Sequence, residues 1–294
     1  MKIYSYGSIN IDHIYQVPHL VQPGETLAST AYSQVLGGKG ANQSIALAKA
    51  GADVSHIGRV NRGDAWAVEA LREAGVDCSL VETVSAPSGH AIIQVDAAAE
   101  NSIVLFAGAN HSFTAADIET QLGSASAGDW LLLQNECSYT AEAVEIAVAK
   151  GMKVAFNPSP MLQDTSAFAL SKISLLVVNQ VEIAQLLGEE DLSETQIVEA
   201  VRAKLPGQDV VVTLGADGAM WIDDTSLTRV PAYKVEVVDT TAAGDTFLGY
   251  LLAAITRADS REQALAAGCK ASSLAVQQLG ASSSIPLAAQ VAQL

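Results

Sequence analysis

Short, mostly apolar runs recur along this 294-residue chain, separated in several places by helical patterning that stops at a glycine. Residues 2–6, 54–58, 129–133, 153–156, 175–178 and 210–214 read as strands. Residues 41–50, 64–74 and 140–150 read as helices, followed by Gly51, Gly75 and Gly151. A glycine there takes the left-handed conformation that closes a helix. Residues 246–256 and 262–277 read as the last long helices. Strands that are apolar on both faces need cover on both. The pattern therefore predicts an α/β fold, a three-layer sandwich with a parallel sheet between two layers of helices.

Two stretches break the alternation. Residues 11–35 and 89–106 hold strand-like pieces with no helix between them. Within the second, 91–95 and 102–106 flank a polar tip at 96–101, which predicts a hairpin. Together they are expected to form a small projecting β-sheet that acts as a lid. No repeat, low-complexity tract or linker divides the chain. Residues 1–294 are therefore read as one domain with the lid inserted in its body.

Charge and composition exclude several classes of function. The formal net charge is −16, and no cluster of Lys or Arg stands against it. A nucleic-acid partner is not expected, nor is an anionic membrane surface. No apolar run approaches the ~18 residues of a membrane span. Asn10, Asp12 and His13 interrupt the first apolar stretch, which does not read as a signal peptide. Cys78, Cys137 and Cys269 are far apart and odd in number. Free buried thiols in a reducing cytoplasm are expected.

Three segments carry chemistry. In Val238-Asp239-Thr240-Thr241-Ala242-Ala243-Gly244-Asp245-Thr246-Phe247, small residues lead into an apolar helix. A helix start presents unpaired N–H groups and positive potential. Ala and Gly let an anion approach it closely. Asp245 would sit in the first turn, where a carboxylate can take a proton from an attacking hydroxyl. Taken alone, it is also an ordinary helix-start carboxylate. In Leu36-Gly37-Gly38-Lys39-Gly40-Ala41-Asn42-Gln43, glycines enclose a lysine before a helix. This suits phosphate or a tight turn, but it is not a Walker A loop, which requires Ser or Thr after the lysine. In Gly7-Ser8-Ile9-Asn10-Ile11-Asp12, an extended backbone would put Asn10 and Asp12 on one face. Glu136 and the segment Asn179-Gln180-Val181-Glu182 follow strands, at the carboxyl edge where open α/β sheets bind ligands. Glu182 could organise Mg²⁺ through water, or simply be a solvated residue at a helix start.

In that order these segments resemble the ribokinase branch of the PfkB-type carbohydrate kinases, over residues 7–286. The resemblance implies a ribokinase-like fold and an ATP-dependent sugar kinase. It implies Asp245 as the catalytic base, with the backbone amides of Ala242, Ala243 and Gly244 as an anion hole. It assigns Asn10, Asp12, Gly38, Lys39, Asn42 and Glu136 to the sugar, and Asn179, Glu182, Thr213, Gly215, Gly218 and Gly244 to the nucleotide. It also implies a monovalent cation, usually K⁺, at Asp239, Thr241, Ala275, Gln278, Gly280 and Ser284. ATP, Mg²⁺ and K⁺ are then the expected cofactors, a small neutral sugar the partner, and a homodimer the assembly. D-Ribose, phosphorylated at O5, is the leading substrate. Another sugar or a nucleoside, such as deoxyribose, is the enzymatic alternative. A non-catalytic sugar or nucleotide sensor is the other class, although it would have no need of both Gly244 and Asp245. A dinucleotide-dependent oxidoreductase would require G-x-G-x-x-G after the first strand, and Gly7-Ser8-Ile9-Asn10-Ile11-Asp12 does not supply it.

Overall fold

A computed structural model describes residues 1–98, 100–161 and 169–294. The chain opens with β1 (Ile3–Tyr6), β2 (Asn10–Gln16) and β3 (Ala31–Gly37), then α1 (Lys39–Lys49). Next come β4 (Val54–Asn61), α2 (Ala65–Glu73), β5 (Val81–Val84), β6 (Gly89–Val95) and β7 (Asn101–Phe106). The middle holds α3 (Ala115–Gln121), β8 (Trp130–Gln134), α4 (Thr140–Ala149), β9 (Lys153–Asn157) and β10 (Leu175–Asn179). Then follow α5 (Gln180–Leu187), α6 (Glu194–Lys204), β11 (Asp209–Thr213), β12 (Ala219–Ile222) and β13 (Leu227–Val230). The chain closes with α7 (Ala243–Thr256), α8 (Arg261–Ala275) and α9 (Ala288–Val291).

Among the described residues the main sheet has nine strands, in the order β13-β12-β11-β10-β9-β8-β1-β4-β5. Its strands bury both faces, as their apolar runs require. Leu176 and Val178 pack with α3–α6 on one side, and Val177 packs with α1, α2, α7 and α8 on the other. The strands from β5 to β11 pair in parallel. The edge departs from the all-parallel expectation, because β12 and β13 run antiparallel. The physical reason is the short link after β11. Leu214 N–H donates to Gly218 O at 2.8 Å, and Gly215 and Gly218 take φ of 57° and 104°. So tight a turn has no room for a crossover helix, and the chain must double back.

The two stretches without helices build a separate sheet, in the order β3-β2-β6-β7. The expected hairpin is the β6–β7 pair, whose register runs from His90↔Phe106 to Val95↔Asn101. At its tip Asp96 Oδ1 accepts from the N–H groups of Ala98 and Glu100. Ala99, within that tip, lies outside the described residues. Cys78, Cys137 and Cys269 are free and buried. Among the described residues, no helix is long and apolar enough to cross a membrane.

Candidate active site

The site forms where β1, β2 and α1 converge. A Cβ on Gly40 would come within 2.4 Å of Gly7 C, so two glycines are needed for the helix to start against the β1–β2 loop. Ser8 then serves the new helix. Its carbonyl accepts from Ala41 N–H at 2.9 Å and its hydroxyl accepts from Gly40 N–H at 3.2 Å. The same hydroxyl donates to Glu136, which also accepts from Lys39 N–H at 3.0 Å. Glu136 is therefore tied to the N-terminus of α1 and not merely solvated, and its charge suits that position. Gly38 precedes the helix at φ 91°, pressed against Ser8 and Asn10. A Cβ on Gly37 would fall 2.0 Å from Asp12 Oδ2, so this glycine is what leaves space for the Asp12 carboxylate.

Asn10 and Asp12 share a face of β2, as expected. Asn10 Oδ1 accepts from Asn110 Nδ2 at 2.8 Å. Asp12 is shielded from water and lies near the charge of Glu136, and these two effects raise its pKa from 3.8 to about 6. A cavity of about 180 Å³ is bordered by Asn10, Asn110, Asn135 and Glu136, with Leu105 and Phe106 of β7 contributed by the small sheet.

Asp245 is the third residue of α7 and is 7% exposed. Asn42 Nδ2 donates to its Oδ2 at 3.0 Å and Gln43 Nε2 to its Oδ1 at 2.9 Å. Asn42 Oδ1 is left buried without a partner in the chain. Gln43 is held in turn, since its Oε1 accepts from Gln134 Nε2 at 2.6 Å and its Nε2 also reaches Asn157 Oδ1 at 3.2 Å. Asp245 borders a second cavity, of about 260 Å³, together with Lys39, Asn179, Glu182, Thr213, Ala242, Ala243 and Gly244.

The turn before α7 is built for close approach. Ala242 adopts φ 58°, and a Cβ on Gly244 would meet nothing within 4 Å. Ala243 N–H donates to Thr240 O at 3.2 Å, which engages one of the three amides expected to form an anion hole. Asn179 and Glu182 form a reciprocal cap at the start of α5: Asn179 Oδ1 accepts from Glu182 N–H at 2.8 Å and Glu182 Oε2 accepts from Asn179 N–H at 2.9 Å. Glu182 keeps its other oxygen for the cavity. Gly215 and Gly218 lie beside the cavity walls in sequence but do not line them.

The residues expected around a monovalent cation are partly brought together. Asp239 Oδ1 accepts from the N–H and hydroxyl of Thr241, and its Oδ2 accepts from Gly280 N–H at 2.9 Å. Burial works against the charge of Asp239, but these bonds outweigh it and hold the pKa below the usual value. Gln278 N–H donates to Ala275 O, and the hydroxyl of Ser284 is turned onto Ala281 O. The donor set is a carboxylate, hydroxyls and carbonyls, hard oxygens that suit a cation of this type. Among the described residues, no group of three or more His, Cys, Asp or Glu stands ready to bind a metal on its own.

Four polar residues of the site were not singled out from the sequence: Gln43, Asn110, Gln134 and Asn157. A signal existed for two of them. The strands β8, β9, β10 and β11 end in Gln134, Asn157, Asn179 and Thr213, so each apolar run closes on a polar residue at the carboxyl edge.

Comparison with known proteins identifies the family and the fold. A model of the pfkB family carbohydrate kinases matches residues 1–288. A ribokinase of Haemophilus influenzae is 36% identical over 287 residues, covering 95% of this chain and 94% of its own. A deoxyribokinase of Salmonella typhi is 30% identical over 294 residues, covering 97% and 96%. The structure of Arabidopsis thaliana ribokinase complexed with ribose and ATP superposes with a TM-score of 0.87 at 28% identity, covering 99% of this chain and 97% of that one.

Proposed function

The chain belongs to the pfkB family of carbohydrate kinases, phosphotransferases of the ribokinase type, and from that premise we propose that it moves the γ-phosphoryl group of MgATP to O5 of D-ribose. The observation that carries the reading is Asp245, a carboxylate held by two side-chain amides at the first turn of an apolar helix, facing a cavity with Lys39 and Gly244. The cavity bordered by Asn10 and Glu136 takes the sugar, with Asp12, Gly38 and Asn42 around it. The cavity bordered by Asn179, Glu182 and Thr213 takes the nucleotide, and the loop through Gly215 and Gly218 flanks it. The likeness to a ribokinase complexed with ribose and ATP supports both assignments.

The chemistry needs little beyond placement and charge. Asp245 takes the proton from the sugar hydroxyl as that oxygen attacks the γ-phosphorus. Charge spread over the equatorial oxygens is met by the free amides at the start of α7 and by Lys39. Ala242, Ala243 and Gly244 shape that turn so that no side chain intervenes. Mg²⁺, held through water by the free oxygen of Glu182, would neutralise phosphate charge. A monovalent cation at the Asp239–Gly280 loop would stiffen the segment leading to Gly244. The small sheet closes over the sugar and excludes water, which limits wasteful hydrolysis. Its exposed apolar residues, Ile92, Ile103 and Val104 among them, support assembly as a homodimer.

A second reading, phosphorylation of 2-deoxyribose, is favoured by the resemblance to a deoxyribokinase. A coupled assay of ADP release decides between them, run with ribose, 2-deoxyribose, fructose and adenosine, each with K⁺ and with a larger inert cation. Ribose-dependent, K⁺-stimulated turnover is the expected result. Turnover with 2-deoxyribose alone would overturn the assignment to ribose and leave that of Asp245 intact.

A further inference from the structure

An asparagine can meet a sugar hydroxyl with its NH₂ as donor or with its oxygen as acceptor. At Asn10 the surrounding bonds choose between the two. Ile9 N–H donates to Asn110 Oδ1 at 3.1 Å. A backbone N–H can only donate, so the atom of Asn110 that it meets must be the oxygen. The Nδ2 of Asn110 then points at Asn10 and donates to its Oδ1 at 2.8 Å. Asn10 Oδ1 is thereby committed, and its Nδ2 is left for the cavity that both residues border. Asn110 is 2% exposed, so water does not compete for these bonds. A Cβ on Gly89 would come within 2.1 Å of Asn110 Nδ2 and 2.4 Å of Asn10 Oδ1, so this glycine reserves the space for the pair.

The other groups near the sugar have the opposite polarity. Glu136, which borders the same cavity, and Asp12 can only accept when ionised, and in the proposed sugar site Asn42 has only its Oδ1 to offer because its Nδ2 is spent on Asp245. A hydroxyl has one proton to give and two lone pairs to offer. It can donate to Asp12 or Asn42 and accept from Asn10 at the same time. With Asn10 reversed, acceptors would compete for one proton and an oxygen would face an oxygen, an arrangement that costs binding. We propose that Asn110 is a positioning residue that fixes Asn10 as a hydrogen-bond donor and so sets which sugar hydroxyl the site demands. This rests on the reading that Asn10 faces the sugar.

The test is Asn110→Asp, close to the same shape. Its carboxylate accepts from Ile9 N–H and also from Asn10 Nδ2, which turns Asn10 round. Turnover is measured with ribose and its 1-, 2- and 3-deoxy analogues. The expected result is a loss of about tenfold in kcat/KM for ribose, carried mainly by KM. One deoxy sugar, lacking the hydroxyl that Asn10 serves, should lose far less. An equal loss for every sugar would mark a merely structural role, and no loss would mark none; either overturns the inference. Should Asn110→Asp fail to fold, Asn10→Asp presents the same reversed polarity beside the open cavity and must give the same selective loss. If the wild type ignores ribose and accepts another sugar, the assignment to ribose falls instead. The variants compared on that sugar and its deoxy analogues then decide the role of Asn110.

Discussion

Both carboxylate oxygens of Asp245 accept an amide N–H, one from Asn42 and one from Gln43. Each oxygen keeps a further lone pair, so the group is held in place and can still take a proton. Asp245→Asn should therefore lower kcat by about 10²- to 10⁴-fold while both KM values stay within about threefold, as read from steady-state kinetics. Equal loss in kcat and in binding would argue against a base. The place of Asp245 in the first turn of α7 was legible because its cue is local, small residues running into a helix start. Gln43 was not, because its task exists only across 202 positions and through Gln134 and Asn157. Asp12 gives a prediction with a sign. Folding raises its pKa from 3.8 to about 6, so folding disfavours its charge. The stability it contributes is complete below 3.8 and is lost as pH rises through about 6. Asp12→Asn should then raise Tm of the sugar-free protein at about pH 8. The charged form is the better acceptor for sugar hydroxyls, so KM for sugar should rise as pH falls through about 6, and Asp12→Asn should abolish that rise. A KM for sugar that stays flat between pH 5 and 8 in the wild type would remove Asp12 from sugar binding.

The turn into α7 is the element on which the nucleotide side depends, and its two small residues answer to different constraints. At Gly244 a methyl group would protrude into open space where phosphate oxygens are expected. Gly244→Ala should leave Tm almost unchanged, since alanine suits a helix, yet cut kcat/KM for ATP by about tenfold or more through loss of close approach. Thermal melts and kinetics on one preparation separate the two effects. At Ala242 the backbone holds φ 58°, a conformation that costs a Cβ-bearing residue about 1 kcal/mol. Ala242→Gly should recover about that much and raise Tm by about 2 °C; a lower Tm would show that the turn carries no strain. The sequence made the parallel strands readable as elements because they are short apolar runs alternating with helical stretches, several of which stop at a glycine. It did not make β12 and β13 readable as an antiparallel edge. That outcome turns on the φ of Gly215 and Gly218, where the length of the link, not the strand pattern, decides direction.

At the scale of the whole molecule, the small sheet is joined to the main one at the site itself. Asn10, the first residue of β2, pairs with Gly37 on one side and Gly89 on the other. Side chains alternate from there, which gives the sheet two faces of different character. Asn10 and Asp12 share one face with Ile103 and Leu105, which are 52% and 59% exposed. The other face carries an aromatic row: His13 stacks on Tyr32, Tyr15 lies beside Tyr32, and His90 lies beside Phe106. Ile92 and Val104 stand in register with His13 on that same face, 42% and 64% exposed. The sequence announced a projecting sheet through missing helices, but it could not say which side chains from different strands share a face, because that follows from the register. An apolar sheet face of this kind calls for cover, and in the proposed homodimer a second copy related by a two-fold axis would supply an identical face to meet it. Light scattering on the purified protein should give twice the 30.5 kDa chain mass. Val104→Lys, which puts a charge in the middle of the face, should give the single-chain mass with an unchanged far-ultraviolet spectrum. Each copy carries a formal charge of −16, so association works against long-range repulsion that salt screens. The dimer should therefore tighten as ionic strength rises toward about 0.15 M. Salt-induced dissociation would instead point to an interface held by ion pairs, and would move the contact away from this face.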